Sequence, residues 1–161
     1  ALGKIVGGGL PLAAFGGRAE VMSHLSPSGP VYQAGTLSGN PLAVAAGRAA
    51  LALLTDDFYR GLDRLSQEVD RRIRPLVESH GLSMNRVGSM FTIFFRSEAP
   101  SNFSQVQECD FTAFGSFHRR SLDFGLYFPP SQYEAVFLSG AMGSEEVDFL
   151  ESGLRKALER P

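Results

Sequence analysis

Glycines break up the first seventeen residues, and they leave only short apolar runs between them. In Leu2-Gly3-Lys4-Ile5-Val6-Gly7-Gly8-Gly9-Leu10-Pro11 one lysine sits in an apolar run that reads as the end of a buried strand, with a glycine cluster directly after it. Leu12-Ala13-Ala14-Phe15-Gly16-Gly17 reads as a second short, buried strand of small residues. Glycines on both sides allow tight turns and close approach of backbone to a ligand. The chain has only two lysines, Lys4 and Lys156, and the second belongs to a C-terminal amphipathic stretch. An apolar setting disfavours the ammonium form, which frees a lysine amine to attack an aldehyde. A strand-end lysine that snorkels to solvent looks the same in sequence, so both readings of Lys4 stand at this point.

Composition removes several functions. The formal charge of −2 leaves no basic stripe for phosphate neutralisation. No apolar run approaches the roughly 20 residues that span a bilayer. The single cysteine, Cys109, excludes an intrachain disulfide framework; it fits a reducing compartment such as the cytoplasm and reads as a small buried residue at a helix start. A P-loop needs its glycines before the lysine and Ser or Thr after it, and here the order is reversed. His24, His80 and His118 lack metal-ligand spacing, and no nucleophile elbow supports a serine triad. The chain begins without Met and its first residues read as the interior of an element, which leads us to expect the C-terminal part of a longer protein.

Further along, Arg18 to His24 reads as a short helix and Ser26 to Pro30 as a loop. Asn40 is placed to cap a helix with Pro41 at its first position, where the missing N–H is harmless. That helix, Pro41 to Leu54, is nearly uncharged and is expected to be buried on most sides. Just before it, Gly35-Thr36 offers backbone N–H groups and a hydroxyl, which suit a phosphate as well as an ordinary turn. Thr55-Asp56-Asp57 opens a longer helix with an apolar stripe through Phe58, Leu62, Leu65, Val69, Ile73 and Leu76; Pro75 should kink it and Gly81 end it. The change from an apolar to an amphipathic helix sets the expected boundary between a domain over 1–55 and an α+β domain over 56–161.

In the second part, Met84–Val87 and Ser89–Arg96 read as strands bent at Gly88, and 97–107 as a polar loop. Asp110 to Phe124 reads as a helix with Phe111, Phe114, Phe117 or His118, and Leu122 inside. Leu126–Phe128 and Ala135–Leu138 read as short strands joined by Pro129-Pro130-Ser131-Gln132-Tyr133-Glu134. Ser144 caps a final helix with a stripe of Val147, Leu150, Leu154 and Leu158. Glu134 has two readings, a turn residue facing solvent or a carboxylate facing a ligand pocket.

The order of these segments is familiar. Residues 2–17 resemble the cofactor-lysine segment of class III, pyridoxal-phosphate-dependent aminotransferases of fold type I, and Gly39-Asn40-Pro41-Leu42-Ala43 resembles another segment of the same family. Tyr32-Gln33-Ala34-Gly35-Thr36-Leu37-Ser38-Gly39-Asn40-Pro41 and Phe128-Pro129-Pro130-Ser131-Gln132-Tyr133-Glu134-Ala135-Val136-Phe137 resemble its aminomutase branch, which acts on glutamate-1-semialdehyde. The resemblance covers essentially the whole chain. It implies an α/β fold, the end of a large cofactor-binding domain followed by a small α+β domain. By the resemblance, Lys4 binds pyridoxal 5'-phosphate and shuttles protons. Gly35 and Thr36 contact the cofactor phosphate across a homodimer interface, and Glu134 lies on the substrate side of the site. Pyridoxamine 5'-phosphate is the implied alternate form of the cofactor, and the implied product is the tetrapyrrole precursor 5-aminolevulinate.

The chain departs from the family pattern at Ala13, where glycine is frequent, and at Met142-Gly143, where His-Thr is frequent. The family's phosphate loop, pyridine-facing aspartate and ring-stacking residue have no counterpart in these residues, so the chain alone is expected to be inactive. Two rivals remain at this level: an aminotransferase acting between an amine and an oxo acid, and a truncated dimerisation module without catalysis.

Overall fold

The computed structural model describes residues 1–159. The chain divides into two compact units, with the division inside a long helix between Phe58 and Tyr59.

The first unit has little regular structure before residue 41. The segment read as a strand ending at Lys4 is instead a single 3-10 turn, Lys4–Gly7, and Lys4 is exposed. Positive φ angles at Lys4, Gly8 and Gly9 turn the backbone away from an extended path, so no ladder can propagate. The expected strand from Leu12 to Gly17 is reduced to one antiparallel bridge, in which Leu2 and Ala14 exchange hydrogen bonds of 2.6 and 2.9 Å. Residues 13–17 are exposed. Helix α1, Ala19–Met22, is a single turn within the expected segment. Helix α2, Pro41–Leu53, starts as its cap predicts: Asn40 Oδ1 accepts from the Ala43 N–H at 3.1 Å. Its burial does not match the expectation, because only Ala43 and Gly47 are buried while Leu42, Leu51 and Leu53 are exposed. Those apolar side chains find no cover within this unit.

The second unit has a conventional core. Helix α3, Asp56–Ser79, buries Val69, Ile73, Leu76 and Val77 at helical spacing. It runs through Pro75, which is exposed, so solvent can satisfy the carbonyl left without a partner. Strands β1, Ser83–Val87, and β2, Met90–Phe94, form an antiparallel hairpin in which Val87 faces Met90. The pair is thus a turn of chain where a bend was expected. Gly88, at φ 55°, occupies the first loop position, where two-residue hairpins need a left-handed residue. Strand β3, Val136–Phe137, completes the sheet in the order β1-β2-β3. The expected strand at Leu126–Phe128 is absent, although Leu126 and Phe128 are buried. The polar loop over 97–107 contains α4, Phe103–Gln107, capped by Asn102. Helix α5, Phe111–Asp123, is capped by Asp110 and buries Phe114, Phe117 and Ser121, whereas Leu122 points outward. Helix α6, Ser144–Glu159, contributes Val147, Leu150, Leu154 and Ala157 to the same core.

Helices α3 and α6 are also joined by charge. Arg72 Nε donates to Glu151 at 2.7 Å, and its Nη2 lies 2.6 Å from Asp148. The hydrogen bond from Arg72 holds the Glu151 carboxyl below the usual carboxylate range. A carboxylate with a depressed folded pKa adds stability above its unfolded value, about pH 4.3, and that stability is lost as pH falls through the folded pKa. Arg72→Met is therefore expected to be less stable than the parent at neutral pH, with the gap closing as the pH drops below the ordinary glutamate range. Urea titrations at a series of pH values measure this, and a gap independent of pH would show that the bridge contributes nothing.

Candidate functional site

Lys4 has a backbone unlike the rest. Its φ is 53°, and it is the only non-glycine residue with positive φ among the described residues. Such a conformation disfavours side chains with a Cβ and persists where surrounding structure enforces it, often at functional positions. The turn that follows Lys4 packs closely on α2. A Cβ at Gly47 would lie 2.6 Å from the Val6 carbonyl oxygen and 2.5 Å from Leu12 Cδ2, so only glycine lets the lysine turn lie so close on the helix. The Lys4 side chain is exposed, and this unit alone does not supply the apolar enclosure that the sequence implied.

The Gly35–Thr36 segment leads into α2 as a tight turn. The Ser38 N–H donates to the Gly35 carbonyl at 2.9 Å and the Asn40 N–H to that of Leu37 at 3.0 Å. Gly35 lines an open depression of about 410 Å³ together with Leu2, Leu12, Phe15, Gln33 and Ser38. Neither Lys4 nor Thr36 lines it, so within one chain this depression does not unite the two.

Glu134 lies in the second unit and is exposed. It also lines a shallow depression of about 380 Å³ with Tyr127, Phe128, Pro130 and Phe137. Its backbone is tied down: the Glu134 N–H donates to Ser131 at 3.2 Å, and Thr92 Oγ1 donates to the Glu134 carbonyl at 3.1 Å. Two residues before it, Gln132 is 1% exposed. The sequence reading assigned Gln132 no role. No cluster of side chains able to hold a metal ion exists among the described residues, and none of their helices is long and apolar enough to cross a membrane.

Comparison with known proteins fits this picture. The family Aminotransferase class-III matches residues 1–140. The glutamate-1-semialdehyde 2,1-aminomutase of Sorangium cellulosum is 50% identical over 98% of this chain and 36% of its own length. That of Thermus thermophilus is 47% identical over 98% of this chain and 38% of its own length. The chain thus spans little more than a third of the curated relatives it matches. Among solved structures, an omega-transaminase from Sphaerobacter thermophilus superposes with a TM-score of 0.85 at 30% identity, over 98% of this chain and 37% of that one. A glutamate-1-semialdehyde-aminomutase from Pseudomonas aeruginosa gives 0.70 at 25% identity, over 86% and 32% respectively. The architecture is that of the C-terminal part of a fold type I pyridoxal-phosphate transferase. On the match over residues 1–140 and the likeness of fold, this chain belongs to the class III aminotransferase family.

Proposed function

We propose that this chain forms part of a glutamate-1-semialdehyde 2,1-aminomutase, a pyridoxal-phosphate-dependent isomerase acting as a cytoplasmic homodimer and yielding 5-aminolevulinate. The observation that carries the reading is identity of 41–50% to aminomutases over nearly the whole chain, which includes both site segments. A second reading, an aminotransferase between an amine and an oxo acid, is favoured by the closer superposition on the omega-transaminase. The sequence likeness there is lower, at 30% identity, and we give it less weight for that reason.

The residues suit the cofactor by their chemistry. Lys4 offers an exposed primary amine on a turn of unusual backbone, and Gly35 and Thr36 offer N–H and hydroxyl donors ahead of a 13-residue helix. An aldehyde and a phosphate are the groups such donors take. When bound, pyridoxal phosphate supplies the electron sink and carries the amino group. Lys4 would hold the cofactor through its side-chain amine and would carry protons at Nζ. Thr36 would donate its hydroxyl to a phosphate oxygen, in the proposed dimer that of the partner's cofactor. Glu134 accepts from the cationic amino group of the substrate and keeps it near the reacting carbon.

The test uses the protein as its gene encodes it, mixed with glutamate-1-semialdehyde. Formation of 5-aminolevulinate is expected. Transamination of an external amine to an oxo acid without 5-aminolevulinate would establish the second reading. In Glu134→Gln, which keeps the size and removes the charge, more of the diamine formed on the way to product should escape. We expect roughly a tenfold rise in diamine released per product, the equivalent of about 1.4 kcal/mol, in the range of a charged hydrogen-bond partner lost.

A further inference from the structure

The turn that carries Glu134 is held far more firmly than an exposed turn requires. Gln132 is the largest buried polar side chain among the described residues, 1% exposed, while Pro130, Tyr133 and Glu134 around it are exposed. Its Oε1 accepts from the Phe95 N–H at 2.7 Å, and its Nε2 donates to the Asp110 carbonyl at 3.3 Å. Phe95 directly follows β2, and Asp110 is the cap of α5. Those two residues are also joined directly, the Asp110 N–H donating to the Phe95 carbonyl at 3.0 Å. One amide thus fastens the turn to the junction of a strand end and a helix start. On the other side, Thr92 Oγ1 holds the Glu134 carbonyl at 3.1 Å. Between the two, the Tyr133 ring lies 5.4 Å from that of Phe103 and 5.0 Å from that of Phe111.

The Glu134 carboxylate, by contrast, makes no hydrogen bond or ion pair among the described residues. A backbone fixed on both sides lowers the cost of ordering the segment when the unpaired carboxylate meets a ligand.

We propose that Gln132 and Thr92 form a clamp of positioning residues, which fixes the direction in which Glu134 is presented to the substrate amino group. This rests on the function proposed above and adds to it the means by which the carboxylate is aimed. Buried amides are costly to leave unpaired, so both ends of Gln132 act as firm constraints. Thr92 sits on β2, and the sheet lends the contact its rigidity.

The readout is diamine released per 5-aminolevulinate formed, measured in the cofactor-loaded, full-length protein. This ratio belongs to each turnover and does not change with the fraction of folded enzyme, so a merely structural role leaves it unmoved. Gln132→Met keeps the length and removes both hydrogen bonds. Thr92→Val keeps the shape at a half-buried position and removes one, so it reports on the clamp even if the first variant does not fold. Both are expected to raise the ratio several-fold in the same direction as Glu134→Gln, and to leave more enzyme in the pyridoxal form by absorbance. In the double variant Thr92→Val, Glu134→Gln, the threonine change should add nothing, because the carboxylate it aims is gone. If Glu134→Gln raises the ratio but the folded clamp variants match the parent, the clamp is overturned and the proposed function stands. If Glu134→Gln itself leaves the ratio unchanged, or the parent forms no 5-aminolevulinate, the proposed role of Glu134 or the proposed function fails first, and the clamp with it.

Discussion

In Lys4→Ala, borohydride treatment of the cofactor-loaded protein is expected to label no peptide, and turnover is expected to fall by about a hundredfold to ten-thousandfold, the contribution of a positioned proton-transfer group. Two independent features lead to this. Lys4 stands in the segment that resembles the family's cofactor lysine, and its backbone is the only non-glycine one with positive φ among the described residues. Within these 161 residues the only other lysine is Lys156, and peptide mapping distinguishes Lys4 from it. Lys4→Arg is the informative companion. It keeps a cation on a stem of similar reach, but a guanidinium does not lose its proton and cannot form the covalent bond. Cofactor held without covalent attachment is therefore expected in that variant, together with the same loss of turnover. Label confined to Lys156 in the parent protein would overturn the assignment of Lys4.

Phe117→Ala is expected to destabilise the protein by about 3–5 kcal/mol, the range for removing a fully buried aromatic side chain. Phe117 is 1% exposed, and its ring lies 5.3 Å from Phe95, 6.0 Å from Phe114 and 5.8 Å from Phe128. These neighbours come from α5, from the residue after β2 and from the start of the Phe-Pro-Pro-Ser-Gln-Tyr-Glu segment, so the cavity cannot close without moving several elements. Phe128 also leads into the turn that carries Gln132 and Glu134. The change should thus lower the urea midpoint and, in the fraction that stays folded, loosen the presentation of Glu134. Phe117→Leu, which fills most of the space, should recover much of the loss. An unfolding free energy within about 1 kcal/mol of the parent for Phe117→Ala would mean that the site collapses around the deletion far more readily than this packing allows.

The features legible from sequence are those written by neighbours along the chain. Asn40 and Pro41 start α2 because a side-chain oxygen three residues before Ala43 can reach its N–H whatever the rest of the molecule does. Asp110 does the same for α5. The stripe of α3 through Val69, Ile73 and Leu76 and that of α6 through Val147, Leu150 and Leu154 follow from helical spacing alone. The identities of Lys4, Gly35, Thr36 and Glu134 as candidates were legible in the same way, through motifs read in order.

What those residues do in space was decided elsewhere. The lysine segment has the apolar composition of a strand, yet it forms a 3-10 turn that lies close on α2 at Gly47, more than forty residues distant. Helix α2 has the composition of a buried element, but burial requires a surface to lie against, and no local property supplies one. Gln132 carries no sequence signal of burial, and its two partners, 37 and 22 residues away, bring an N–H and a carbonyl to the ends of its buried amide. Caps and periodicity are settled by bonds a few residues long. Burial and the aim of a side chain depend on which distant segments arrive beside it, and only the folded chain determines that.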